Sequence, residues 1–251
     1  MGGAMLRRWV GLDELAVTVV DPVAAPIDGA TMVRRVDDLP DAPADILVIA
    51  VKPQMIDQLA PDYAARVAPD GVVASIAAGA SIGSIARHFN KARIVRAMPN
   101  LPAQIGMGVT AVYSDDALSD AQRRTLDALF GAVGEAVWVQ SEDMIDRFTA
   151  VAGSGPGYVF EFARVYVAAA EAMGFTPADA RRIVLATVQG AAAMALGADD
   201  SLEDLRNAVT SKRGTTEAGL NALRQDGALE DLLKATVEAA YARAVALSRG
   251  E

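Results

Sequence analysis

Asp45-Ile46-Leu47-Val48-Ile49-Ala50-Val51 is one aspartate followed by six uninterrupted apolar residues. A strand with one face in water would alternate apolar and polar side chains. This run does not, so it reads as a central strand covered by helices on both faces. Similar β-branched runs lie on either side of it, at Leu15–Val20, Val72–Ile76, Arg93–Ala97, Gly108–Tyr113 and Ala136–Val139. Helical patterns separate several of them, at Pro53–Val67, Ser81–Phe89 and Ser119–Val133. The unit is therefore βαβ, and the fold class expected for residues 1–140 is α/β with a mostly parallel, Rossmann-like sheet. Such sheets bind ligands beyond the carboxyl ends of their strands. That points to four turns: Asp21-Pro22, Lys52-Pro53, Ala77-Ala78-Gly79 and Met98-Pro99-Asn100.

From Ser141 onward the strands stop. Ser141 followed by Glu142 and Asp143 reads as a helix cap with acidic first-turn residues. Helical patterns then run over 141–152, 157–173, 176–196, 202–209, 216–223 and 229–248, so residues 141–251 are expected to form an all-α domain. The 16 uncharged residues Ile183–Ala198 are apolar around most of a helix, but too short and too interrupted by Gln189 and glycine for a membrane span. A helix apolar all round has to be covered on all sides. In a domain of roughly 110 residues part of that cover is expected from a second copy of the chain, so this half is read as a dimerisation domain.

Composition narrows the chemistry. The 251 residues include no cysteine and one histidine, His88. This excludes a disulfide framework, thiolate metal sites and a thiol nucleophile, and leaves no histidine cluster for a metal. His88, late in a helical stretch, reads as a surface residue. Arg7-Arg8 and Arg181-Arg182 read as solvated helix faces. A net charge of −9 argues against a nucleic-acid binder. The N-terminal residues have no apolar stretch of signal-peptide type, and the expected location is the cytoplasm.

Five segments carry more specific information. They are Val51-Lys52-Pro53-Gln54, Ile76-Ala77-Ala78-Gly79, Arg96-Ala97-Met98-Pro99-Asn100-Leu101-Pro102, Ala152-Gly153-Ser154-Gly155-Pro156-Gly157-Tyr158, and Val209-Thr210-Ser211-Lys212-Arg213-Gly214-Thr215-Thr216-Glu217-Ala218-Gly219-Leu220. In this order and spacing they resemble the pyrroline-5-carboxylate reductase family, from Met1 to about Leu247. The resemblance implies an oxidoreductase that reduces 1-pyrroline-5-carboxylate to L-proline with NADPH or NADH. It also implies homodimers through the helical domain, assembled in places into larger rings such as decamers. The implied cofactor contacts are Met1, Gly2, Asp21, Ala50, Val51, Lys52, Pro53, Ala77, Gly79, Met98, Pro99 and Asn100, the last as a polar contact in the loop that backs the nicotinamide. The implied substrate residues are Ser211, Gly214, Thr215 and Thr216, with the Thr216 hydroxyl as the catalytic group bonding the ring nitrogen. Lys212-Arg213 stands where the family usually has Pro-Gly.

Two further expectations come from particular positions. Asp21 ends a strand where an acidic side chain accepts from the adenosine 2′-hydroxyl and repels a 2′-phosphate, which leans toward NADH, although Arg34 or Arg35 could come near. Met1-Gly2 matches the end of the family's first Gly-rich motif. The chain is thus expected to start at the first helix, through an internal methionine taken as the start in preference to deliberate trimming or a naturally shortened protein. The strand before it would then be missing and two neighbouring sheet edges left open. Two alternatives follow: a helical-dimer remnant that no longer binds nucleotide, and an enzyme resembling β-hydroxyacid dehydrogenases. The second ranks low, because no Gly-rich helix with a suitable lysine occurs between Ser141 and Ala198.

Overall fold

The computed structural model describes residues 1–12 and 15–250. The chain divides into two compact units, Met1–Pro156 with Ala239–Glu251, and Gly157–Glu238.

The first unit opens with helix α1 (Gly2–Trp9), followed by strands β1 (Val17–Val20) and β2 (Ala30–Val33). These two strands pair in parallel as a sheet of their own. A second sheet has the order β3 (Ala44–Ile49), β4 (Val67–Ser75), β5 (Arg93–Pro99), β6 (Gly108–Tyr113), β7 (Gly134–Trp138). All its neighbours are parallel except the antiparallel β5–β6 pair. The α/β class with a mostly parallel sheet is what the sequence pattern requires. The two sheets share no ladder; β1 and β2 are both edges of theirs, and β3 and β7 are the edges of the five-stranded one.

Both faces of the five-stranded sheet are covered, and β4 shows how. Val72 and Ala74 point into one core with Met5 and Trp9 of α1 and Leu126, Leu129 and Phe130 of α4 (Asp120–Gly131). Val73 points into the other with Ile56 and Ala60 of α2 (Ile56–Tyr63) and Ile85 of α3 (Ile82–Ala86). Alternation along β4 thus feeds two helical layers. The run at Asp45–Val51, expected to be a central strand, instead forms β3 at the edge of this sheet, with Ile46, Leu47 and Val48 only half-buried and Ile49 buried. Trp9 donates its indole N–H to the Leu129 carbonyl at 2.7 Å and ties α1 to α4.

The change from strands to helices comes between Trp138 and Glu142. Helix α5 (Glu142–Phe148) runs into a π-helical turn, Thr149–Gly153, and then α6 (Gly155–Ala172). Next come α7 (Pro177–Gly197), α8 (Leu202–Ala208), α9 (Thr215–Leu223) and α10 (Ala228–Ser248). Ser/Thr caps start several of these helices. Ser141, Thr176 and Ser201 each accept the backbone N–H of the third residue of their helices, Met144, Asp179 and Asp204. On α7 the only buried residues are Ala180 and Val184, while Met194 and Leu196 are 66% and 85% exposed. Within one chain this helix lacks the cover its apolar sequence demands.

Candidate functional site

β3, β4 and β5 run parallel, so their carboxyl ends share one edge of the sheet. Ala50, Val51, Lys52 and Pro53 follow β3, with the first three exposed. Ala77 and Gly79 follow β4, and Met98, Pro99 and Asn100 close β5. The start of α1 reaches the same edge, since a Cβ added to Gly2 would come within 2.9 Å of the Ala50 Cβ. A helix N-terminus against strand ends is where backbone N–H groups can meet a phosphate. The Met1 side chain makes no capping bond there.

Gly79 has φ +79°, and a side chain on it would meet Leu247 at 3.3 Å. The turn after β4 is therefore glycine for two reasons, backbone conformation and the C-terminal turn of α10 lying against it. Next to it, Ser248 of the same turn takes part in a buried charge cluster. Arg96, 3% exposed, donates to Glu142 at 3.1 Å, to Asp146 at 2.7 Å and to the Ser248 hydroxyl at 3.3 Å. Ser248 in turn donates to Asp146 at 2.8 Å, and Glu142 accepts the backbone N–H of Ile82 at 2.7 Å. Two carboxylates pair with one buried guanidinium, a hydroxyl accepts a further N–H, and the cluster pins α3, α5 and α10 to β5. Sequence reasoning passed over Arg96, although it stands in the Arg96–Pro102 motif. Nothing local showed that its partners lie 46, 50 and 152 residues away.

Asn100 is 8% exposed and bonded on every side. Its N–H donates to the Val109 carbonyl at 3.2 Å, and its carbonyl accepts from Ala103 at 3.2 Å. Its Oδ1 accepts the Val109 N–H at 2.9 Å, and its Nδ2 donates to the Ala152 carbonyl at 3.1 Å. The neighbouring Met98 Cε lies 3.2 Å from where a Gly153 Cβ would stand.

Asp21 sits just past β1. Its Oδ1 accepts the N–H of Val23 at 2.9 Å and of Ala24 at 2.8 Å. These two bonds hold its carboxyl below the usual carboxylate range. Arg34 reaches across, donating to the carbonyls of Asp21 at 3.1 Å and Ala24 at 2.8 Å. Of the two arginines considered near the ribose end, Arg34 is the one on this loop; Arg35 instead pairs with Asp37.

In the second unit, Thr210–Thr216 links α8 to α9. Gly214 is the N-cap of α9 and has no side chain to cap with, leaving the first-turn N–H groups of Thr215 and Thr216 without a side-chain acceptor from that position. Ser211, Thr215 and Thr216 are exposed. A Cβ on Gly214 would stand 2.9 Å from the Ser211 carbonyl oxygen and closer still to its hydroxyl, which favours glycine here. Arg213 has φ +59°, and its N–H donates to Glu217 at 2.6 Å. The backbone here keeps the left-handed conformation that a glycine would adopt, in spite of the arginine. Hydroxyls and helix-start N–H groups together can receive a carboxylate.

Comparison with known proteins gives the following. Residues 142–247 match the family model described as pyrroline-5-carboxylate reductase dimerisation. The pyrroline-5-carboxylate reductase of Pseudomonas aeruginosa is 37% identical over 247 residues, covering 96% of this chain and 90% of that protein. The Synechocystis reductase is 35% identical over 206 residues, 82% of this chain and 76% of that protein. Among solved structures, a pyrroline-5-carboxylate reductase from Coxiella burnetii superposes with TM-score 0.87 at 32% identity, covering 98% and 96% of the two chains. A Plasmodium falciparum pyrroline carboxylate reductase with NADP bound shares the fold, with TM-score 0.83 at 23% identity over 99% of this chain and 94% of that one.

Proposed function

Because this chain belongs to the pyrroline-5-carboxylate reductase family, we propose that it reduces 1-pyrroline-5-carboxylate to L-proline with NAD(P)H, the last step of proline biosynthesis. The observation that carries the reading is 37% identity maintained across 96% of the chain, which includes both the sheet edge and the helical carboxylate loop. Bound NAD(P)H supplies the hydride, which goes to the C=N carbon while the π pair moves onto nitrogen. A cyclic iminium is already electrophilic, so the protein's work is orientation and exclusion of water. This suits a chain with one histidine and no cysteine.

The roles of individual residues belong to the proposal. Met1 and Gly2 at the start of α1, Ala50–Pro53 after β3, and Ala77 and Gly79 after β4 contact the dinucleotide, and Met98 and Pro99 back its nicotinamide. The close approach of Gly2 to Ala50 favours this set, since it brings a helix N-terminus to the strand ends. Ser211, Gly214 and Thr215 receive the substrate carboxylate, and the Thr216 hydroxyl bonds the ring nitrogen. Asp21 stays ionised under all ordinary conditions and favours NADH by accepting from the 2′-hydroxyl; Arg34 beside it moderates the exclusion of NADPH. Self-association runs through the helical region that matches the dimerisation model, in homodimers and assemblies of them. No described helix is long and apolar enough to cross a membrane, and the setting we assign is the cytoplasm.

The test is oxidation of NADH and NADPH on addition of pyrroline-5-carboxylate, with L-proline identified as product. Turnover lost in Thr216→Val and a larger kcat/KM with NADH than with NADPH are expected. No turnover with either cofactor overturns the reading, and equal efficiency with both removes the assignment of Asp21.

A further inference from the structure

Ala152 lies in the π-helical turn Thr149–Gly153, whose wide bond runs from the Ser154 N–H to the Thr149 carbonyl at 2.8 Å. In a regular helix the Ala152 carbonyl would accept from residue 156, but Pro156 has no N–H. The Asn100 side-chain amide, 52 residues away in sequence, provides a donor at 3.1 Å. The other end of the same amide accepts from Val109 at the start of β6. One buried side chain thus joins the end of β5, the start of β6 and the π turn. Met98, two residues earlier, packs its methyl against Gly153 of that turn. Turns of this kind recur at functional sites, because the displaced register re-aims the backbone around them.

We propose that Asn100 is a positioning residue for hydride transfer: it bridges the Val109 N–H and the Ala152 carbonyl, and so fixes the Met98–Pro99 surface against the π turn before dinucleotide binds. The inference rests on the reductase reading. It differs from a direct polar contact between Asn100 and the cofactor, since the amide acts through Val109 and Ala152. Loss of the bridge lets Met98 and Pro99 drift. Misplacement by about 1 Å is enough to cost on the order of a hundredfold in rate without loss of binding.

Two variants and two readouts test this. Asn100→Ala removes both ends of the bridge. Asn100→Asp keeps the acceptor for Val109 and turns a carboxylate oxygen toward the Ala152 carbonyl, which repels it until the carboxyl is protonated. Burial lifts such a carboxyl toward neutral pH. The expected result is kcat lower by about tenfold or more in both variants, with the dinucleotide dissociation constant within about threefold of wild type. Asn100→Asp, relative to wild type at each pH, should recover between about pH 8 and about pH 6, whereas Asn100→Ala should not. Without dinucleotide, amide protection over 149–157, corrected for the intrinsic exchange rate at each pH, should fall in Asn100→Ala and return in Asn100→Asp at the lower pH. Unchanged kcat, unchanged exchange, or a dissociation constant that weakens in step with a constant kcat would overturn the proposal. If Asn100→Ala does not fold, the pH series on Asn100→Asp decides alone. A wild-type chain that does not reduce the imine defeats the reductase reading and this proposal with it, and the exchange series then reports separately whether Asn100 holds the turn.

Discussion

Arg213 holds a left-handed backbone at φ +59°, a conformation that costs a residue with a side chain about 1–2 kcal/mol. Replacing it by glycine removes that cost but frees the unfolded chain, so Arg213→Gly should stabilise the fold by something under about 1 kcal/mol, read from urea denaturation. A lower stability would mean that the arginine side chain contributes contacts outweighing its backbone strain. Carboxylates allow a second statement at this scale. Asp21 is held below the usual range by two backbone N–H bonds, Asp57 first by His88 and then by Arg87, and Asp143 first by Tyr241 and then by Arg147. Depressed carboxyls bind fewer protons folded than unfolded, so their contribution is complete above the ordinary value of 3.8 and is lost as pH falls through their lower folded values. Chemical denaturation midpoints should hold steady from neutral pH to about 5 and then drop in acid, with a smaller drop in Asp21→Asn. Residue types at the site were legible because strand ends and turn formers mark themselves locally. Their partners were not, since the Asn100–Ala152 and Arg96–Ser248 contacts join segments that only the folded sheet brings together.

At the scale of elements, what the sequence states locally is what it states well. Ser119 caps α4 and Gln122 answers it, with the serine hydroxyl accepting at 3.2 Å and the glutamine carbonyl accepting from the Ser119 N–H at 2.9 Å. Ser119→Ala should cost about 1 kcal/mol, and Gln122→Ala less, in thermal or denaturant unfolding. Strand β6 spans the same residues, Gly108–Tyr113, that its β-branched pattern predicts. Strand β2 was not expected. Its four residues, Ala30–Val33, carry too little pattern to stand out, and they are a strand because β1 pairs with them along their whole length. Strand β4 begins at Val67, five residues before the expected Val72, although Ala68-Pro69-Asp70-Gly71 has the composition of a turn. Only Val67 pairs with β3 there, opposite Ala44; Ala68–Gly71 bulge out of the ladder against the single residue Asp45, and regular pairing resumes at Ile46 with Val72, so the turn composition marks the bulge. The helix expected over 141–152 divides into α5 and the π turn, where the Ala152 carbonyl accepts from the distant Asn100 amide and the proline at 156 offers no N–H, neither of which the segment itself displays.

At the scale of the whole molecule, the helical unit leaves apolar side chains in water. On α6, Phe160 and Phe162 are 62% and 53% exposed, in a segment that falls within the match to the dimerisation model. Contiguous exposed apolar side chains of this kind mark association surfaces. Phe160→Glu should shift the chain from dimer to monomer in sedimentation velocity and make unfolding independent of protein concentration, where the parent chain's melting temperature rises with concentration. A variant that remains dimeric with unchanged melting would place the interface elsewhere on the helical unit. The sheet invites a different consideration. A two-stranded ribbon is marginal by itself in water, and β1–β2 has no ladder to the five strands that hold the main core. Asp21, the residue we assign to the adenosine ribose, stands at the end of that ribbon. Occupancy of the nucleotide site would therefore be felt first as local order. The ribbon should open before the main sheet, and its opening should be slowed by dinucleotide, as read by amide exchange over residues 17–33 with and without NADH.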